Sequence, residues 1–118
     1  MSEKKYIDCL TVLHNKKAVN LFNKNLAEFK KYRNKKISFN FKATCPAKYK
    51  DILDNCVEFF EYERVPHQGS VDHAYNLHTL LNHVETEWFC VLDPDVYPVT
   101  EGWDNNIDLL IEEYDIVG

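Results

Sequence analysis

Residues 88–95 read Trp88-Phe89-Cys90-Val91-Leu92-Asp93-Pro94-Asp95, a short apolar run followed by two carboxylates with one proline between them. So brief and continuous an apolar run is a strand buried on both faces, as in a parallel sheet covered by helices. A strand that ends in paired acids places negative charge at the rim of the sheet. That is costly unless water, a cation or hydrogen-bond donors compensate it. Magnesium or manganese suits such a pair, because these ions take one or two protein carboxylates and complete their shell with water and phosphate oxygens. Asp and Pro are also ordinary turn residues, so the pattern gains meaning only from its surroundings.

Outward from this stretch, strands and helices alternate. Upstream, Ala74, Leu77, Leu81 and Val84 give a helical core stripe, with Ser70 or Asp72 as its cap, preceded by a loop over 63–71 that holds Pro66 and Gly69-Ser70. Val57 to Tyr62 reads as a strand, and Pro46 opens a short helix bearing Tyr49, Ile52 and Leu53. Ile37, Phe39 and Phe41 alternate with Ser38, Asn40 and Lys42, the period of a strand with one better-buried face. Val19, Phe22, Leu26 and Phe29 make a helix stripe that leaves Asn23, Lys24, Glu28 and Lys31 to water. Ile7 to Leu13 is a buried first strand, broken by His14-Asn15. Downstream, Trp103, Ile107, Leu110, Ile111 and Tyr114 show helical spacing, Trp103 reads first as a core aromatic opening that helix and second as a support beneath the Asp93-Pro94-Asp95 turn, and Asp115-Ile116-Val117 begins a fifth strand.

The alternation predicts one α/β domain over residues 1–118, a Rossmann-like three-layer α/β/α fold with a mostly parallel sheet and right-handed crossovers. The expected strand order is 3-2-1-4. The order then reverses between strands 1 and 4, and ligands bind beyond the carboxyl ends of the strands at such a switch point. His14 and Asn15 follow strand 1 there, and Asp93 and Asp95 follow strand 4.

At 118 residues with 45% hydrophobic and 28% charged side chains, the chain suits a single hydrophobic core. A net charge of -5 argues against nucleic acid as the main partner, and the basic cluster Lys30 to Lys36 reads as the solvated end of a helix. Cys9, Cys45, Cys56 and Cys90 lack zinc-binding spacing and read as reduced thiols, with Cys90 buried in a central strand. His73, His78 and His83 recur every five residues, about 140° apart on a helix, and do not share a face for a metal. With no apolar leader at Met1 and no run long enough to span a bilayer, the expected compartment is the cytoplasm.

A metal on Asp95, assisted by Asp93, would neutralise a diphosphate and stabilise charge on a leaving phosphate. The free N–H groups of the helix near Asp72, reached through Ser70, would receive phosphate oxygens, and His73 would donate to phosphate or ribose. No glycine-rich phosphate loop is present, since glycine occurs only at 69, 102 and 118.

Gly69-Ser70-Val71-Asp72-His73-Ala74-Tyr75-Asn76-Leu77, then Glu87 to Val96 with its Asp-x-Asp turn, then Gly102-Trp103, resembles the nucleotide-sugar half of GT-A glycosyltransferases, particularly family-2-like members. The residue-level resemblance is confined to about positions 69–103, whereas the order of elements matches over most of the chain. It implies a UDP- or GDP-sugar donor, with Asp95 on manganese or magnesium, Asp93 on the metal or ribose, and His14 and Asn15 at the base. Thr44-Cys45-Pro46 stands where many relatives carry a base-reading Asp, and Asp72-His73-Ala74-Tyr75-Asn76 replaces their Gly-rich, Arg-Asn helix start. The acceptor-binding half of the family would lie beyond Gly118, so the expectation is donor binding without demonstrated transfer. The competing expectation is a non-catalytic module of the same fold that self-associates through an unpaired sheet edge.

Overall fold

The computed structural model describes residues 5–32, 37–64, 71–99, 103, 107, 111 and 113. Its strands are β1 (Lys5–Val12), β2 (Ile37–Cys45), β3 (Glu58–Glu61) and β4 (Phe89–Val91). Helices α1 (Lys16–Lys31) and α2 (Val71–Leu81) follow β1 and β3. All strand pairings are parallel and the order is β3-β2-β1-β4, as the alternation predicts. No helix among the described residues is long and apolar enough to cross a membrane.

Local chemistry sets the boundaries. Asn15 stops β1 from running on: its backbone is extended and its Oδ1 accepts the Ala18 N–H at 2.8 Å, which caps α1. Lys30 and Lys31 lie in the last turn of α1, where cations oppose the helix dipole. The expected short helix after Pro46 is a 3-10 turn, Ala47–Ile52. Asn23 clamps the end of this turn, donating to Ile52 O at 2.6 Å and accepting from Asp54 N at 3.0 Å. Its expected place facing water is therefore corrected: Asn23 is half-buried and holds a loop.

Each face of the sheet has its own core. On one, Val19, Phe22 and Leu26 of α1 pack with Leu13, Ala43, Cys45, Leu53 and Val57. On the other, Leu80 of α2 packs with Leu10 and Val12, flanked by Phe60, Tyr62, Leu77 and Val84. Helix on sheet on helix is the three-layer arrangement expected from the sequence.

Three burial expectations are overturned. The stripe of α2 is out of phase: Ala74 and Leu81 are exposed, whereas Asn76 and Leu80 are buried. The cause is Asn76, a polar residue on the inner face, which accepts from Glu63 N at 3.0 Å and donates to Glu63 O and Asp72 O at 2.8 and 2.7 Å. Lys42, assigned to the exposed face of β2, is only 4% exposed. Cys90 is likewise half-buried, because β4 is an edge among the described strands rather than a central one. Beyond Val99, Ile107 and Ile111 are helical and half-buried. Leu110, Tyr114 and the expected fifth strand at 115–117 lie outside the described residues, as do residues 65–70 of the expected loop.

Candidate functional site

The order β3-β2-β1-β4 sends the chain from β1 to one side and brings it into β4 on the other, so the carboxyl ends of β1 and β4 flank the switch point of the sheet. Leu13 N still donates to Thr44 O at 2.8 Å, and Leu92 N donates to Leu10 O at 2.9 Å, so both ladders continue to this rim. The chain then turns at His14-Asn15 on one side and at Asp93-Pro94-Asp95 on the other, where Val96 N donates to Asp93 O at 3.2 Å. Parallel crossovers aim the N-termini of α1 and α2 at this same end of the sheet.

His14, Asn15, His73, Asp93 and Asp95 are all exposed. Asn15 has its side-chain oxygen committed to the α1 cap, which leaves its amide nitrogen for a ligand. Ser70 lies outside the described residues. The carboxylate of Asp72, which would oppose an anion at the start of α2, is engaged by the Tyr62 hydroxyl. Burial first, and then the Asp72 charge, push that phenol above its ordinary pKa.

Water reaches both acids of the turn, so the charge expected to be costly at a buried rim is solvated. Among the described residues neither side chain has a hydrogen bond or ion pair. Among the described residues no group of three or more His, Cys, Asp or Glu assembles there as an all-protein metal cage. Two neighbouring, open carboxylates still match magnesium or manganese bound jointly by protein and substrate phosphate.

The turn is anchored by a residue that sequence pattern does not single out. Asn25, only 4% exposed on the inner face of α1, donates from Nδ2 to Pro94 O at 2.8 Å. Trp103 packs as a core aromatic rather than beneath the turn: its ring lies edge-on to Phe29 at 5.7 Å and tilted against Phe39 at 5.5 Å, and its Nε1 donates to Tyr32 O at 3.1 Å. These contacts fix it at the C-terminal end of α1, the opposite end of the sheet. Asn25→Leu is expected to leave the Pro94 carbonyl unsatisfied and to cost about 1–2 kcal/mol. Denaturant unfolding checks the loss, and faster hydrogen exchange at Val96 N–H locates it at the turn.

A second polar cluster lies toward the amino ends of the strands. Asp8, 1% exposed, accepts from Glu85 N at 2.7 Å and Asn40 Nδ2 at 3.2 Å. Lys42 Nζ pairs with Glu58 at 2.9 Å and Glu85 at 3.6 Å. Burial is the strongest influence on Lys42 and lowers its pKa. The Glu58 hydrogen bond and the charges of Asp8, Glu58 and Glu85 together outweigh it, so the ammonium ends above its ordinary value. Thr86 Oγ1 completes the cluster, accepting from Asp8 N at 2.9 Å and donating to Trp88 O at 2.6 Å. These bonds tie the segment leading into β4 onto β1, and so hold the strand that delivers Asp93 and Asp95.

No protein-family model, curated protein or solved structure matches the chain.

Proposed function

We propose that the carboxyl end of the sheet binds a nucleoside-diphosphate sugar together with manganese or magnesium, as a GT-A glycosyltransferase-like donor domain. The observation that carries this reading is the pair of exposed carboxylates, without a side-chain partner among the described residues, on the turn after β4, beside the switch point of a β3-β2-β1-β4 parallel sheet. Asp95 and Asp93 would hold the ion, which when bound supplies Lewis-acid charge to the diphosphate. His14 and the Asn15 amide would face the base. His73, in the first turn of α2, would donate to phosphate or ribose, and Ser70 is assigned to the same donor. The function claimed is donor binding. Transfer would further require an acceptor held against the donor and a base for its hydroxyl.

Calorimetric titration with UDP- and GDP-sugars, with and without manganese, tests the reading on the wild type and on Asp95→Asn. Metal-dependent heat is expected from the wild type. Asp95→Asn should weaken it at least about tenfold, since even outer-shell changes typically cost that much in metal affinity. A wild type that gives no metal-dependent heat overturns the proposal. The second reading, a self-associating module of the same fold, would then take its place. It is favoured by Phe89 and Val91, which stay 46% and 45% exposed on β4.

A further inference from the structure

Cys9 and Cys90 face each other in register across the parallel β1–β4 pair, each at the middle of the three-residue pairing Asp8–Leu10 with Phe89–Val91. Neighbouring strands lie about 4.7–4.9 Å apart, inside the Cα separation of about 4.4–6.8 Å that a disulfide spans. In-register residues of a parallel pair point to the same face of the sheet, and the two thiols are hydrogen-bonded to each other. Both cysteines are free thiols, Cys9 fully buried and Cys90 half-buried.

We propose that Cys9 and Cys90 form a reversible redox pair that closes to a β1–β4 disulfide on reaction with a low-molecular-weight disulfide such as oxidised glutathione. Access sets the order of events. The half-buried Cys90, as its thiolate, attacks one sulfur of the oxidant, breaks the S–S bond and releases one glutathione thiolate. Cys9 then gives up its proton, attacks Cys90 Sγ and expels the second glutathione. Two protein thiols and one glutathione disulfide become one protein disulfide and two glutathione thiols, so atoms and electrons balance. The hydrogen bond with Cys90, and then burial, hold the Cys9 thiol well above its ordinary pKa. Cys9 is therefore protected from direct attack and reacts only when Cys90 already carries the leaving group.

The bond would matter because of its position. β4 is the short edge strand of the described sheet, and its next residues after Leu92 are the acids of the turn. Joining Cys90 to Cys9 staples this strand to β1 and closes a long loop, which restricts the unfolded chain.

The test equilibrates the full chain with oxidised and reduced glutathione at varied ratio, quenches with N-ethylmaleimide and maps the peptides by mass. The expected result is a fall from four free thiols to two, with Cys9 and Cys90 peptides linked and both thiols recovered on reduction. The linked form should unfold at higher denaturant than the reduced form. Cys90→Ser, altered at the half-buried position, should keep Cys9 reduced under the same conditions. Stable glutathione on Cys90 without linkage overturns the proposal, as does a bond involving Cys45 or Cys56, or four thiols surviving fully oxidising buffer. Because the map is read on the wild-type chain, these outcomes hold even if a variant fails to fold. None of them depends on the sugar-nucleotide reading.

Discussion

Lys42→Met is expected to lower unfolding stability by about 1–3 kcal/mol, through loss of the charge-assisted bond to Glu58 and of a cation near buried Asp8. The loss falls unevenly on its neighbours. Glu58 and Glu85 have side chains 55% and 80% exposed and regain water once the ammonium is gone. Asp8 is 1% exposed and does not. Its bonds from Glu85 N and Asn40 Nδ2 remain, but the Lys42 charge that interacts with it is removed. A domain of this length has roughly 6–18 kcal/mol in total, so the loss is a readily measured fraction of its stability. The double variant Asp8→Asn/Lys42→Met should recover part of the loss, because it deletes the stranded charge as well. Urea unfolding of the three proteins gives the comparison; a Lys42→Met curve overlying the wild type would show that Asp8 needs no ammonium.

The same residue sets a pH dependence. Lys42 is held above its ordinary pKa in the folded protein, so the folded state keeps this proton more tightly than the unfolded chain does. Its contribution is therefore full below the unfolded value of about 10.4 and is lost as pH rises through the higher folded value. The stability gap between wild type and Lys42→Met should stay level near neutrality and narrow above about pH 10.4.

Why Lys42 escapes a reading of the sequence shows where such reading stops. Alternation places the first helix and the four strands because apolar side chains there follow the period of their element, and the order 3-2-1-4, which spacing alone does not fix, is the usual arrangement for such a chain. His14, Asn15, Asp93 and Asp95 fall at the switch point by that route alone. The pattern treats every polar residue as a surface residue, and this fold buries several. Asn76 hides the true phase of α2 because its amide is consumed by the backbone of Glu63 and Asp72. Asn25 sits one residue before Leu26 on the inner face of α1, with nothing local to mark its bond to Pro94, far along the chain. For Trp103 the sequence leaves open a place beneath the acidic turn or in the core, and only its ring contacts with Phe29 and Phe39 decide for the core. Long-range polar pairing has no periodicity, so it becomes visible only in three dimensions.

The apolar half of the fold makes its own strong prediction. Leu10 and Leu26 are 0% and 1% exposed, and they belong to separate cores on opposite faces of the sheet. Truncation of a fully buried leucine removes its transfer free energy and leaves a cavity that neighbours fill only in part, so Leu10→Ala and Leu26→Ala should each cost about 3–5 kcal/mol. Leu26 lies among many partners, including Val19, Phe22 and Ala43, in the larger core. Leu10 shares the smaller α2 face with Val12 and Leu80, and half-buried Phe60 and Leu77 around it have room to shift inward. Leu26→Ala should therefore be the costlier of the two, because the tighter site collapses less. With the sheet between them and no partner in common, their losses should add to within about 0.5 kcal/mol. Since that sum approaches the whole stability of a domain this size, the double variant is best measured with a stabilising osmolyte and compared with single variants under the same conditions. A double loss well below the sum would mean that the two faces relax together as one core. The β1 backbone, which carries Leu10 between both helices and leads directly to His14 and Asn15, would then transmit damage from either side to the rim of the sheet.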